Sequence, residues 1–208
     1  MKKRQELQRF ELRVSGLGGQ GVITLGKILG SGLALGHGYF VTQTQSYGPE
    51  ARGGTSRADL VVSSQAISYP KTESLDMLVA LSQEACNTYF RALKPGGVLL
   101  VDSTFVKQTP TNHYLGLPFT ELVRERVGNP MTLNIMVLGA VTHILPFAVA
   151  RLMRKAVEEN FPLKIQPVNL KAFTLGLQLA KKHFGAPADI WATAKEHAHH
   201  SDDFKPLE

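Results

Sequence analysis

The stretch SGLGGQGVITLGKIL, Ser15 to Leu29, decides how the chain folds. Before it, Phe10 to Ser15 alternates apolar and polar residues, the period of a strand. After the glycines, Val22, Leu25, Ile28, Leu29 and Leu33 fall at the spacing of one helix face. The order is therefore strand, glycine turn, helix. Gly16, Gly18 and Gly21 give the spacing G-x-G-x-x-G, which has mechanical meaning only in that setting. Glycine lets the backbone turn sharply and admits a phosphate or another chain close to the amides, while the helix N-terminus favours an anion. A nicotinamide or flavin nucleotide also needs an Asp or Glu about 20 residues on, at the end of the second strand, to bond the ribose hydroxyls. That region reads HGYFVTQTQ, His37 to Gln45, and contains no acid. The plainer alternative is that the glycines serve only close packing of strand and helix. Gly19 and Gln20 weigh against it, since they add a fourth glycine and a side-chain amide at the tip of the turn. A side chain at Gly18 is expected to block a ligand and distort the turn alike.

Outward from this turn, Tyr39 to Gln43 is a candidate second strand and Ser46 to Ser56 a glycine-dense loop. Asp59 to Val62 and Met77 to Leu81 are short apolar runs expected as strands, with Gln83 to Leu93 a helix. LKPGG, Leu93 to Gly97, supplies turn residues to end that helix, and VLLVD, Val98 to Asp102, has the composition of a buried parallel strand. Alternating strands and helices predict an α/β fold: a Rossmann-like, mainly parallel sheet with right-handed crossovers and flanking helices. In the last third, Met131 to Leu145 is apolar and helical, Pro146 to Asn160 is amphipathic, and Asn169 is placed to cap a helix running to His183.

The chain has 208 residues, 43% of them hydrophobic, with no repeat and no interdomain linker, which predicts a single domain. Its core is expected over about residues 12–180, between a basic N-terminal extension and a polar tail. The net charge of +6 is spread along the chain apart from Met1-Lys2-Lys3-Arg4, and no arginine- or aromatic-rich module for nucleic acid is present. One cysteine, Cys86, can form neither an internal disulfide nor the ligand set of an iron-sulfur cluster or structural zinc. HAHH, His197 to His200, is expected to be a solvated tail, and no metal site is assigned. The N-terminus lacks a signal-peptide core and no apolar run of about 18 residues follows, so a cytoplasmic protein without a membrane span is expected.

A second loop adds to the first. QSYGPEARGGTSRADL, Gln45 to Leu60, sets Tyr47, Glu50 and Arg52 among Gly48, Pro49, Gly53 and Gly54, directly after the second strand. Loops at the C-terminal ends of parallel strands meet at the ligand crevice, so the two loops are expected to adjoin. Together they offer amides and one guanidinium to an anion or a partner carboxylate, although Glu50 is also placed to pair with Arg52.

GLGGQGV, SYGPEARGG and LKPGGVLLVD, with NIMVLGA (Asn134 to Ala140) and NLKAFTLG (Asn169 to Gly176), resemble in order and spacing the gamma subunit of the 2-oxoacid:ferredoxin oxidoreductases. The resemblance spans Leu12 to Leu179, and its specific part is SYGPEARGG following GGQGV. It implies a complex that decarboxylates a 2-oxoacid on thiamine diphosphate with magnesium, passes electrons through iron-sulfur clusters to ferredoxin, and transfers the acyl group to coenzyme A. The implied partners are thiamine-binding alpha and beta subunits and a ferredoxin-like delta subunit. Thiamine and the clusters belong to those chains, in keeping with the absence here of a G-D-G diphosphate motif and of further cysteines. No catalytic residue is assigned to this chain.

The resemblance leaves to this chain assembly and a share in receiving coenzyme A. Its site residues are Gly16, Gly18, Gly19, Gln20 and Gly21 in the first loop; Tyr47, Gly48, Pro49, Glu50, Arg52, Gly53 and Gly54 in the second; and Asn134. Two alternatives stand beside it: a free-standing nucleotide-dependent oxidoreductase, and an assembly scaffold whose loops touch only other subunits. Isolated from its partners, the chain is expected to self-associate through apolar surface meant for them.

Overall fold

Strand β1, Phe10–Leu17, is the axis of the molecule, and in the computed structural model, which describes residues 6–46 and 55–198, it is buried from Phe10 through Gly16. Its alternation sends Phe10, Leu12 and Val14 to one face of the sheet and Glu11, Arg13 and Ser15 to the other. The further strands are β2 (Phe40–Ser46), β3 (Thr55–Ser63), β4 (Leu75–Ala80), β5 (Leu93–Asp102) and β6 (Leu115–Leu117), in the order β2-β3-β1-β4-β5-β6. Five strands run the same way. β3 alone is reversed, antiparallel to both β1 and β2, while the β1–β4, β4–β5 and β5–β6 pairs are parallel.

The mainly parallel sheet is as expected, but the second strand is not β1's neighbour. It runs over Phe40–Ser46 rather than Tyr39–Gln43 and forms the outer edge, with β3 inserted between it and β1. The connection from β2 to β3, residues 47–54, is too short for a parallel crossover, which takes a dozen or more residues, so β3 returns antiparallel.

The helices are α1 (Val22–Ser31), α2 (Gln83–Tyr89), α3 (Phe119–Leu122), α4 (Leu133–Ile144), α5 (Ala150–Asn160), α6 (Gln166–Phe184) and α7 (Pro187–Ala198). On the Leu12 and Val14 face, α1, α4, α5 and α6 build the larger core. α4 is buried nearly all round, as its unbroken apolar run requires. It crosses α6 so closely that a Cβ on Gly139 would land on the Phe173 carbonyl and one on Gly176 on the Met136 carbonyl. These two glycines belong to the NIMVLGA and NLKAFTLG motifs, whose shared physical content is this helix crossing. On the other face, α2 covers β4 and β5 in a smaller core that holds Cys86, whose thiol burial pushes up to about 11.

Two local expectations are corrected. LKPGG does not end a helix: α2 stops at Tyr89, a 3₁₀ turn spans Phe90–Ala92, and Leu93–Gly97 already belongs to β5, Leu93 pairing with Leu75 and Lys94–Gly97 forming a bulge. Asn169 does not cap α6 either. Pro167 sits in the first turn of a helix that begins at Gln166, and the Asn169 Nδ2 donates back to the Ile165 carbonyl at 2.9 Å from inside the helix.

Candidate functional site

The glycine turn is built by its own side chains. Gln20 Oε1 accepts the Leu17 N–H at 2.7 Å and its Nε2 donates to the Leu81 carbonyl at 3.0 Å, tying the ends of β1 and β4 together. The Gln20 amide thus has structural work at both ends. A Cβ on Gly16 would meet this amide and the Leu81 Cβ. Gly19 and Gly21 take φ of +90° and +71°, a region that side chains disfavour. Asn134 lies against Gly21: its Nδ2 donates to the Gly21 carbonyl at 3.2 Å and its Oδ1 accepts the Ile135 N–H at 3.0 Å. Gly16, Gly18, Gly19, Gln20, Gly21 and Asn134 are therefore one constellation.

Gly18 differs from the other glycines. Its backbone is outside the left-handed region and a Cβ there would meet nothing within 4 Å, so a side chain fits without distorting the turn. This corrects the expectation that substitution at Gly18 deforms it. Leu17, Gly18 and Gly19 are exposed. Behind them α1 starts after Gly21 with no acid in its first turn, and among the described residues no side chain caps its N-terminal amides.

Tyr47, Gly48, Pro49, Glu50, Arg52, Gly53 and Gly54 lie outside the described residues. Their two anchors are described: Ser46 at the end of β2 pairs with Arg57, and Thr55 at the start of β3 pairs with Leu17 of β1. Both ends of the second loop thus leave the sheet at the edge from which the glycine turn rises. The Thr55 hydroxyl donates to Glu84 Oε1 of α2 at 2.9 Å, fixing one anchor.

Below that edge lies a charged cluster that local sequence patterns miss. Arg13 meets Asp59 through two hydrogen bonds of 2.6 and 2.8 Å, nearly sealed from solvent, and Thr72 donates to the same carboxylate at 3.1 Å. Arg57 Nε is 3.8 Å from that carboxylate. The guanidinium carbons of Arg13 and Arg57 sit 4.7 and 5.7 Å from the Tyr89 ring centroid. Only the β1–β3 register, which sets Arg13 opposite Asp59, brings these groups together. Among the described residues no group of three or more His, Cys, Asp or Glu is placed to hold a metal, and no helix is long and apolar enough to cross a membrane. His197 is no solvated tail residue: its ring stacks on His113 with centroids 3.3 Å apart. His199 and His200 lie outside the described residues.

The family described as pyruvate ferredoxin/flavodoxin oxidoreductase matches residues 11–179. The chain belongs to this family. Within the pyruvate ferredoxin/flavodoxin oxidoreductases it is similar to the 2-oxoglutarate synthase subunit KorC of Methanocaldococcus jannaschii, 41% identical over 88% of this chain and all of that protein. The corresponding subunit of Archaeoglobus fulgidus is 36% identical over 84% of this chain and 90% of its own length. Among solved structures, the keto/oxoacid ferredoxin oxidoreductase gamma subunit from Geobacter sulfurreducens superposes with a TM-score of 0.77 at 35% identity, covering 84% of this chain and 98% of that one. The expected gamma-subunit identity is borne out: the chain is a gamma-type subunit of a 2-oxoacid:ferredoxin oxidoreductase.

Proposed function

We propose that this gamma subunit works in a multi-subunit 2-oxoacid:ferredoxin oxidoreductase by presenting the glycine turn and the 47–54 loop to the phosphates of coenzyme A, beside thiamine-binding alpha and beta subunits and a ferredoxin-like delta subunit. The carrying observation is the uncapped N-terminus of α1 behind an exposed turn with open space over Gly18, at the edge where both ends of the Arg52 loop meet the sheet. A fold neighbour supports this reading: the 2-oxoglutarate:ferredoxin oxidoreductase from Magnetococcus marinus, solved with coenzyme A bound, superposes with a TM-score of 0.75 at 22% identity, this chain spanning 32% of it. The KorC relatives make 2-oxoglutarate the proposed substrate of the whole complex, with thiamine diphosphate, magnesium and iron-sulfur clusters in the other subunits.

A dinucleotide is disfavoured by the topology as well as by the missing acid. The strand beside β1 on that side is reversed, so it brings its start, Thr55, to the crevice, and β2 ends two strands away.

The test is the coenzyme A dependence of the reconstituted complex carrying Arg52→Ala, with its sedimentation. Loss of a charge-assisted phosphate contact weakens coenzyme A about 10- to 150-fold and spares thiamine-dependent decarboxylation. Unchanged coenzyme A dependence in an intact complex removes Arg52 from the site, and a parallel fall of both half-reactions with a loosened complex identifies the loops as an assembly surface. Alone, the subunit self-associates through exposed Leu35, Met131 and Leu163; light scattering from a clean monomer at all concentrations contradicts this.

A further inference from the structure

The turn between α5 and α6, residues 161–165, carries exposed apolar side chains on a fixed backbone. Leu163 is 82% exposed and Ile165 41%, although each is large enough to gain from burial. The Ile165 N–H donates to the Pro162 carbonyl at 3.0 Å and the Gln166 N–H to the same carbonyl at 3.2 Å. The Gln166 Nε2 then donates to the Glu158 and Phe161 carbonyls at 2.8 and 2.9 Å, closing the end of α5 onto the start of α6. Leu163 is therefore held out to solvent by hydrogen bonds already made, and a partner that covers it has little chain left to order.

Beside this turn runs an open groove. One wall is a stripe of α6 at helical spacing, Pro167, Leu170, Lys171 and Leu175. The other holds Arg154 of α5 and Arg126 of the π-helical turn Val123–Val127. No acid lines the groove among the described residues. Arg154 is matched by Glu158 at 3.2 Å. Arg126 makes no side-chain hydrogen bond or ion pair among the described residues, and Lys171 reaches only the Val127 carbonyl, at 3.5 Å. Two exposed cations are thus left beside half-buried Leu170 and Leu175. A free phosphate would use the cations and leave the apolar side chains wet, and a flat lipid surface would cover Leu163 and leave the groove empty. A polypeptide with carboxylates on one side and apolar side chains on the other uses the whole face.

We propose that this face receives an acidic amphipathic segment of another subunit of the complex, its apolar side chains on Leu163 and the leucines of the groove and its carboxylates on Arg126 and Lys171. The site is independent of the coenzyme A reading, and its readout is affinity between subunits rather than the KM for coenzyme A. The remaining subunits, purified as a complex without this chain, are titrated with it by sedimentation. Leu163→Ser and the pair Arg126→Glu with Lys171→Glu, all at exposed positions, are each expected to weaken assembly about tenfold or more. Raising salt from about 0.05 M to about 0.5 M is expected to weaken the wild type more than the charge-reversed pair. Arg91→Glu with Lys195→Glu, the same charge change at exposed positions outside the groove, is expected to leave assembly unchanged. Wild-type assembly by Leu163→Ser or by the Arg126 and Lys171 pair overturns the proposal, as does equal salt sensitivity of that pair or equal loss in the Arg91 and Lys195 pair. So does a Leu163→Ser effect confined to self-association of the isolated chain or to its binding of phosphatidylglycerol vesicles, which assigns the face to a second copy or to a lipid surface.

Discussion

The two faces of β1 are held by different physics. On one side Phe10, Leu12 and Val14 join an apolar core that reaches through α1 to α4 and α6, where contact is non-directional and the demand is close fit. On the other side Glu11, Arg13 and Ser15 are just as buried, yet each depends on a named partner: Glu11 on Arg9 and the N–H groups of Glu73 and Ser74, Arg13 on Asp59, Ser15 on the Ser56 carbonyl. The polar side therefore fixes which segments lie where beneath the candidate site, and a single deletion there leaves an uncompensated group. The apolar side tolerates changes of polarity poorly and changes of shape according to how close the backbones come.

The largest expected effect comes from breaking the polar side at its centre. Asp59→Ala leaves Arg13 buried without its carboxylate and is expected to cost about 3–5 kcal/mol in chemical denaturation. The double change Arg13→Met with Asp59→Leu removes both charges and is expected to recover most of that loss, since apolar replacement of a whole buried pair is often neutral or stabilising. Failure of the double variant to recover would show that Thr72, Arg57 and Tyr89 make the cluster more than a pair. The apolar side is broken by bulk instead. Gly176→Ala drives a methyl into the Met136 carbonyl, backbone that cannot rotate away. Overpacking outweighs the roughly 1 kcal/mol that alanine gains in helix propensity, for a net loss of about 2 kcal/mol.

Glu11 gives a smaller, pH-dependent effect. Burial raises its pKa, but hydrogen bonds from Arg9, Glu73 and Ser74 outweigh this and hold the carboxyl below its ordinary 4.5. A group with a lowered folded pKa stabilises the protein above its unfolded pKa and loses that contribution as pH falls through the folded value. Glu11→Gln is therefore expected to cost about 1 kcal/mol at neutral pH, with the gap to wild type narrowing as pH falls below 4.5. Thermal melts across that range check it, and a gap that widens in acid contradicts the assignment.

Legibility in the sequence follows the same division. The turn from β1 into α1 was plain, because period and glycine spacing are local. The reversal of β3 was not, because an apolar run looks the same in either direction and only the length of the connection distinguishes a return from a crossover. Lys94–Gly97 carries turn residues that serve equally to stop a helix or to bulge a strand, and Asn169 has a cap's composition while Pro167 sets the helix start earlier. Gly139 and Gly176 were visible as motif members, but their purpose is a crossing between helices distant in sequence. Arg13 and Asp59 stand 46 residues apart and become a pair only through strand register. In the candidate site, the glycines were legible from spacing, whereas the double engagement of the Gln20 amide emerged only once Leu81 was brought alongside.

The smallest stability effect belongs to Gly18, which faces neither core. Because its backbone is outside the left-handed region and its Cβ direction is open, Gly18→Ala and Gly18→Asp are both expected to stay within about 0.5 kcal/mol of wild type. Their functional effects diverge. Alanine adds a methyl in open space and leaves the amides of α1 reachable, so coenzyme A dependence of the reconstituted complex changes little. Aspartate places a carboxylate at the positive end of α1, where it competes with an incoming phosphate for the same amides. The coenzyme A KM is expected to rise about tenfold or more with the fold intact. If both variants assemble normally and share the wild-type KM, the turn is not facing the coenzyme and its open amides serve another subunit. If aspartate alone raises the KM, charge rather than bulk is the cause, because the two variants differ by a carboxylate at one position of unstrained backbone.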